Sequence, residues 1–65
     1  MNYKNLSALI LEKYKTYAAF GLAMEWVPQK VNKLTNGYYV PKIGEAVTMS
    51  RVLGITLDEL ASFFI

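Results

Sequence analysis

Turn-forming residues divide this chain of 65 residues into short segments, and that division limits the fold more than any other feature. The breaks lie at Pro28, Asn36-Gly37, Pro41 and Gly54. Between them, apolar residues recur every three or four positions, which is typical of helices, whereas strands show a spacing of two. The sequence therefore predicts a single all-α domain, residues 1–65, built from five short helices.

The first two helices are predicted from an apolar stripe and a capping threonine. A helix over about residues 4–15 places Leu6, Ile10 and Tyr14 on one face, and Leu9 widens that face. Thr16 has the hydroxyl of an N-cap for a second helix that ends near Met24, with Phe20 and Met24 on its inner side. Gly21 lies in the middle of this second helix and would let another helix approach closely.

The last three helices are predicted from their end signals. Pro28 suits the first turn of a third helix, and Asn36-Gly37 suits its end. A fourth helix over about residues 43–53 ends at Gly54, and Thr56 with Glu59 forms a capping box that opens a fifth. The apolar positions predicted to face the core of these two helices are Ile43, Ala46, Val47, Ser50, Leu53, Leu57, Leu60, Ala61 and Phe64.

Composition removes several classes of function. Histidine and cysteine are absent, so the chain offers no base for a serine nucleophile, no disulfide and no thiolate or imidazole metal ligand. We therefore expect no catalytic residue, no metal site, no cofactor and no small-molecule substrate. The longest run of apolar and aromatic residues with glycine, residues 17–24, is far shorter than a membrane span, and no signal peptide is recognisable. A cytoplasmic location without membrane contact is expected.

The net charge of +2 is modest, but it is concentrated in one segment. Between residues 26 and 44 lie Lys30, Lys33 and Lys42 without any acid, whereas the rest of the chain carries four basic and five acidic residues. This pattern is consistent with a nucleic-acid partner, although three lysines on a solvated face would look the same.

The third helix carries an unusual polar face. At about 100° per residue, Val27, Val31 and Leu34 are predicted to face the core. Amides and lysines remain on the outside, with no acid among them: Gln29, Asn32, Lys33 and Asn36, with Lys30 at the flank. Such groups pair with base edges and phosphates in DNA.

The stretch from Thr16 to Leu60 resembles the repressor and Cro family of helix-turn-helix domains, also called the xenobiotic-response-element family. One part of the likeness is Gly21, followed by a third helix with Val31, then Asn36-Gly37 and Pro41. The other part is residues 54–60, Gly-Ile-Thr-Leu-Asp-Glu-Leu, which are similar to the family's closing pattern.

The resemblance implies a lambda-repressor-like five-helix DNA-binding domain of a phage or mobile element, which regulates transcription as a repressor or Cro-like protein. The recognition helix, about residues 28–35, would enter the major groove of operator DNA while the second helix crosses the phosphate backbone. By position, base-edge contacts are expected from Gln29, Lys30, Asn32 and Lys33, and backbone contacts from Tyr17, Asn36, Tyr38 and Lys42.

The chain departs from the family pattern at the turn. Glu25 stands where glycine is usual, and a left-handed glutamate would cost about 1 kcal/mol. Tyr17 replaces a usual glutamine, and Val27 with Pro28 replaces polar residues that normally cap the reading helix. These departures leave an alternative open, in which the same scaffold is a protein-interaction module such as an antirepressor that binds another regulator.

Two further questions stay open at the level of sequence. Trp26 and Tyr38-Tyr39 would either stack on bases or cover the core and reach phosphates. The apolar ending Phe63-Phe64-Ile65 predicts a homodimer, because Phe63 and Ile65 lie off the helical stripe. The alternative is that this tail folds back over the first helix.

Overall fold

The computed structural model describes residues 2–65 and confirms the all-helical prediction, with no strand in that range. The elements are α1 (Tyr3–Tyr14), α2 (Tyr17–Met24), α3 (Pro28–Thr35), α4 (Ile43–Leu53) and α5 (Leu57–Ser62). They pack into a body of about 24 × 21 × 21 Å. Helix α2 lies at the centre, in contact with α1, α3 and α4.

Every helix contributes to one hydrophobic core. The buried apolar residues are Leu6, Ile10, Phe20, Met24, Val31, Leu34, Met49, Leu53 and Leu60. Two hydroxyls tie α1 to the elements behind it: Tyr14 donates to the Val52 carbonyl at 2.9 Å, and Ser7 donates to the Thr35 carbonyl at 3.1 Å. These bonds fix the inner side of α3 and α4, and so determine which side of α3 is left outside.

The predicted helix ends are confirmed. The Thr16 hydroxyl accepts a hydrogen bond from the Ala19 N–H at 3.1 Å, and Thr56 and Glu59 satisfy each other's backbone amides. Gly54 ends α4 in the left-handed region, at φ 69°. These local signals work because each one supplies a partner to a backbone group that the helix leaves unpaired.

Glu25 occupies the left-handed geometry that the family comparison suggested, at φ 60° and ψ 38°. Its turn is closed by the Trp26 N–H, which donates to the Gly21 carbonyl at 2.8 Å. Lys15, after α1, also has a positive φ of 69°, which the sequence did not indicate. Both residues therefore bear strain that glycine would avoid.

Gly21 allows α2 and α3 to pack closely, as predicted. A Cβ atom at Gly21 would lie 3.1 Å from Cγ2 of Val31 and 3.3 Å from the Trp26 carbonyl oxygen. The absence of a side chain at this position therefore sets the spacing between the two helices.

Four residues predicted to face the core are exposed instead: Val27, Ile43, Leu57 and Ala61. Val27 is 62 % exposed because it precedes α3 in extended geometry, where the helical spacing does not apply. Ile43 is 85 % exposed because the buried residues of α4 all lie in its second half. Leu57, at the first position of α5, is 46 % exposed. For these residues the prediction was wrong, because helix periodicity was extended to positions at helix ends.

Candidate nucleic-acid interface

The outer face of α3 is formed by Gln29, Asn32, Lys33 and Asn36, and all four residues are exposed as predicted. Within residues 2–65, no side chain of another helix pairs with any of them. The side-chain hydrogen bonds of this face lie within residues 32–36, since Asn36 Nδ2 donates to the Asn32 carbonyl at 2.8 Å and to Asn32 Oδ1 at 2.7 Å, and the same carbonyl accepts from the Thr35 hydroxyl at 3.2 Å. We call this set the outer face.

The outer face points outward because the opposite side of α3 is anchored. Val31 and Leu34 are buried, and the Thr35 hydroxyl donates to the Val31 carbonyl at 3.1 Å. The turn that follows α3 runs through Gly37, whose φ is 81°, and a Cβ there would lie 2.8 Å from the Tyr3 ring. The turn that ends α3 therefore packs directly against α1.

Lys30, predicted to contact bases, lies on another side of α3. Its ammonium group pairs with the Glu45 carboxylate of α4 and lies 4.6 Å from the centre of the Trp26 ring and 5.2 Å from that of Tyr39. Glu45 also accepts from the Tyr39 hydroxyl. We call Trp26, Lys30, Tyr39 and Glu45 the inner cluster. The base contact of Lys30 stays a prediction, and its ion pair with Glu45 is a reason to expect that DNA does not use this charge.

Hydrogen bonds within the inner cluster shift the pKa values of Lys30, Tyr39 and Glu45. Hydrogen bonds, first from Lys30, then from the Tyr39 hydroxyl and the Lys42 backbone N–H, lower the pKa of Glu45 from 4.5 to about 2. The hydrogen bond to Glu45 in turn raises the pKa of Lys30 and of Tyr39. The pair therefore stays ionised at neutral pH, and Lys30 is held by Glu45 and two aromatic rings.

The sequence pattern did not point to Glu45, because the segment without acids spans residues 26–44 and Glu45 is the next residue. A signal was present, since Glu45 lies three residues after Lys42 at the start of α4, where a glutamate returns to the backbone N–H. Counting Glu45, the local charge falls from +3 to +2, and the free cations of the segment are Lys33 and Lys42.

The aromatic residues around the turn divide into two groups. Trp26 and Tyr39 belong to a series of edge-to-face rings that starts at Tyr14 and passes through Phe20, with centroid separations of 5.9, 6.4 and 5.9 Å. Trp26 and Tyr39 therefore cover the core, which is one of the two roles that the sequence left open for these residues. Tyr38, by contrast, is 84 % exposed.

The residues predicted to contact the DNA backbone lie in three parts of the chain, and one of them, Asn36, belongs to the outer face itself. Tyr17, 38 % exposed, begins α2 and lines a groove together with Asn32. Tyr38 and Lys42 are exposed on the connection from α3 to α4.

Lys42 is the N-cap residue of α4, and its side chain has no oxygen that could accept from the N–H groups of the first helical turn. These N–H groups and the lysine ammonium group are both suited to binding an anion. Glu25 and Lys42 line one shallow depression.

An apolar groove of about 410 Å³ is lined by residues of α2 and α3, and the sequence did not predict it. Its walls include Tyr17, Ala18, Leu22 and Pro28, with Asn32 at the margin. Leu22 is 81 % exposed, because apart from Tyr17 the helix α2 has only apolar residues and a buried glycine, so its outward positions are apolar. One amide of α3, that of Asn32, therefore lines this hydrophobic groove.

The tail predicted to form a dimer is partly used within the chain. Phe63 and Phe64 are half-buried and pack against the core, and the Asn2 N–H donates to the Phe63 carbonyl at 2.7 Å. The fold-back alternative therefore describes Phe63 and Phe64, while Ile65 is 90 % exposed.

Comparison with known proteins finds no matching family model, no matching curated protein and no matching solved structure. Across residues 2–65, no helix is long and apolar enough to cross a membrane. Over the same range, no group of three or more acidic, histidine or cysteine side chains is placed to hold a metal ion.

Proposed function

We propose that this protein is a lambda-repressor-like helix-turn-helix domain that binds specific double-stranded DNA and regulates transcription as a repressor or Cro-like protein. The observation that supports this proposal is the outer face. A solvated helix ordinarily mixes acids with bases, whereas here three amides and one lysine stand exposed without an acid. Amides and cations are the groups that recognise base edges in the major groove.

The arrangement of helices supports the same proposal. Helix α3 packs against α2 across Gly21, and the turn between them runs through left-handed Glu25. With α3 in the major groove, Gln29, Asn32 and Lys33 would contact bases. Tyr17, Asn36, Tyr38 and Lys42 would contact phosphates. Lys30 is left out of the base contacts because Glu45 holds it.

Selection of duplexes from a random DNA pool tests this function. We expect enrichment of a defined sequence, and affinity for it that falls steeply as salt rises, because phosphate contacts release counterions. Gln29→Ala should relax the preference at one base pair at a cost of about 1 to 3 kcal/mol, whereas Lys42→Ala should weaken all sequences alike. Equal losses on selected and random DNA for both variants would contradict the assigned roles.

The second candidate function is an antirepressor-like module that binds another regulator. The specific observation in its favour is the apolar groove between α2 and α3, with Leu22 exposed at its edge. Binding through such a groove would depend little on salt. No enrichment of DNA, together with salt-insensitive capture of a protein that Leu22→Glu abolishes, would replace the first proposal with this one.

A homodimer remains part of the proposed function, because one short reading helix contacts few base pairs. Ile65 is the tail residue left free for such contact, beside an apolar depression lined by Val40, Pro41, Leu57 and Ala61. Sedimentation equilibrium of the wild type and Ile65→Glu tests it. A wild-type monomer at all concentrations would exclude the dimer.

A further inference from the structure

The start of α3 combines two kinds of group that are rarely exposed together. Val27, immediately before the helix, is 62 % exposed, and Pro28 is exposed at its first position. Gln29 and Asn32 follow on the outer face, and both are exposed. Val27 and Gln29 are two positions apart in the chain and both are exposed, so a partner with apolar and polar groups side by side would contact both of them.

An A·T base pair has both kinds of group at its major-groove edge. Adenine has N7 as an acceptor and N6 as a donor, which a glutamine or asparagine amide pairs with, and thymine has the only methyl group of the four bases. In helix-turn-helix domains the first residues of the reading helix contact base edges, and Val27 stands at that end.

Resting on the DNA-binding function proposed above, we propose that Val27, with Pro28 beside it, contacts the 5-methyl group of a thymine next to the base pair read by Gln29. The operator half-site would therefore contain a thymine whose methyl group, rather than its hydrogen-bonding edge, is recognised. The apolar replacement at the start of α3 would then determine sequence preference.

The methyl group can be removed from the DNA without altering base pairing, which gives a direct test. After selection of the operator, each thymine is replaced singly by deoxyuridine and affinity is measured by fluorescence anisotropy. Burying one methyl group is worth about 0.8 kcal/mol, so one substitution per half-site should weaken wild-type binding about fourfold. The remaining substitutions should have little effect.

The protein side of the test uses Val27→Ser. Serine removes both methyl groups and supplies the capping hydroxyl that α3 lacks, so the melting temperature should be unchanged or higher. Lost binding is then not caused by unfolding. In a homodimer both Val27 side chains are replaced, so the variant should lose about fourfold per half-site on the thymine operator, about sixteenfold in all, and the sensitive deoxyuridine substitution should weaken it no further. Leu11→Ser is the control, because Leu11 is 38 % exposed on α1, outside the proposed DNA and dimer contacts, and it should retain both wild-type affinity and methyl sensitivity.

Three results overturn the inference, and they are distinguishable from failure of the DNA-binding proposal. If a sequence is enriched but no deoxyuridine substitution matters, no methyl group is read. If Val27→Ser keeps the full deoxyuridine sensitivity, another residue reads the methyl group. If Val27→Ser binds the operator like the wild type, Val27 is exposed for a protein contact instead. If no duplex is enriched at any salt concentration, the proposed function itself fails.

Discussion

Two lysines of α3 differ in their surroundings, since Lys33 is exposed and Lys30 is paired with an acid. Lys33 lies on the outer face and is exposed, with no side-chain partner within residues 2–65. Lys30, three residues earlier, is held by Glu45 and lies over the rings of Trp26 and Tyr39. The difference comes from α4, since the acid that captures Lys30 is fifteen residues away in sequence. Charge near a reading helix therefore has to be counted after its internal partners are removed.

The largest expected effect comes from separating α2 and α3, which would displace both sides of α3 together. Gly21→Val adds bulk where even a Cβ would lie 3.1 Å from Val31. Overpacking of this kind costs about 1 to 3 kcal/mol, and each kcal/mol lowers the melting temperature of a domain this size by about 4 to 8 °C.

Gly44→Ala is the control for Gly21→Val in thermal unfolding. A Cβ at Gly44 meets no atom within 4 Å, so alanine should raise the melting temperature slightly because glycine is a poor helix former. A Gly21→Val melting temperature equal to that of the wild type would show that α2 and α3 can move apart freely.

The next largest effect is a change in how the melting temperature depends on pH, caused by Glu45 of the inner cluster. The pKa of Glu45 in the folded protein is about 2, below the ordinary value of 4.5, so its contribution to stability is present above about pH 4.5 and is lost as pH falls towards 2. Glu45→Gln should lower the melting temperature by several degrees at pH 7 and should flatten its fall between pH 5 and pH 2.

The flattening should be incomplete, because Glu59 also has a lowered pKa, through its bonds to Thr56, and is unchanged in this variant. Equal acid sensitivity in wild type and Glu45→Gln, measured by thermal denaturation across that range, would show that the inner cluster contributes nothing measurable.

The smallest effect concerns the left-handed turn. Glu25→Gly should raise stability by up to about 1 kcal/mol by relieving a positive φ, and it should strengthen DNA binding by removing a negative charge. Lys15→Gly relieves the same kind of strain but removes a positive charge, so it should stabilise the fold without strengthening DNA binding. A lower melting temperature for Glu25→Gly would show that the glutamate has a stabilising role.

The parts of the fold that sequence predicts well are those fixed by neighbouring residues. Thr16, Thr56 and Gly54 act on the backbone within a few positions, so their roles follow from spacing alone. The outer face was predicted for the same reason, because its residues lie one or two positions, about 100° to 200° around the helix, from the buried Val31 or Leu34.

The parts that sequence does not predict depend on contacts between segments. The partner of Lys30 lies on α4, and the half-burial of Phe63 depends on how the tail meets the start of α1. Helix ends add a second kind of error, since Val27 and Ile43 were placed by periodicity where packing no longer follows it.

The central claim is that the outer side of α3, and not the inner side, contacts DNA. The most direct measurement is the affinity of wild type, Lys33→Ala and Lys30→Ala for the selected operator over a salt series, at a temperature where all three are folded. We predict that Lys33→Ala weakens binding to the operator, by about 1 to 3 kcal/mol if Lys33 contacts a base. Lys30→Ala should bind the operator like the wild type. An equal loss in the two folded variants, or a loss in Lys30→Ala alone, would contradict it.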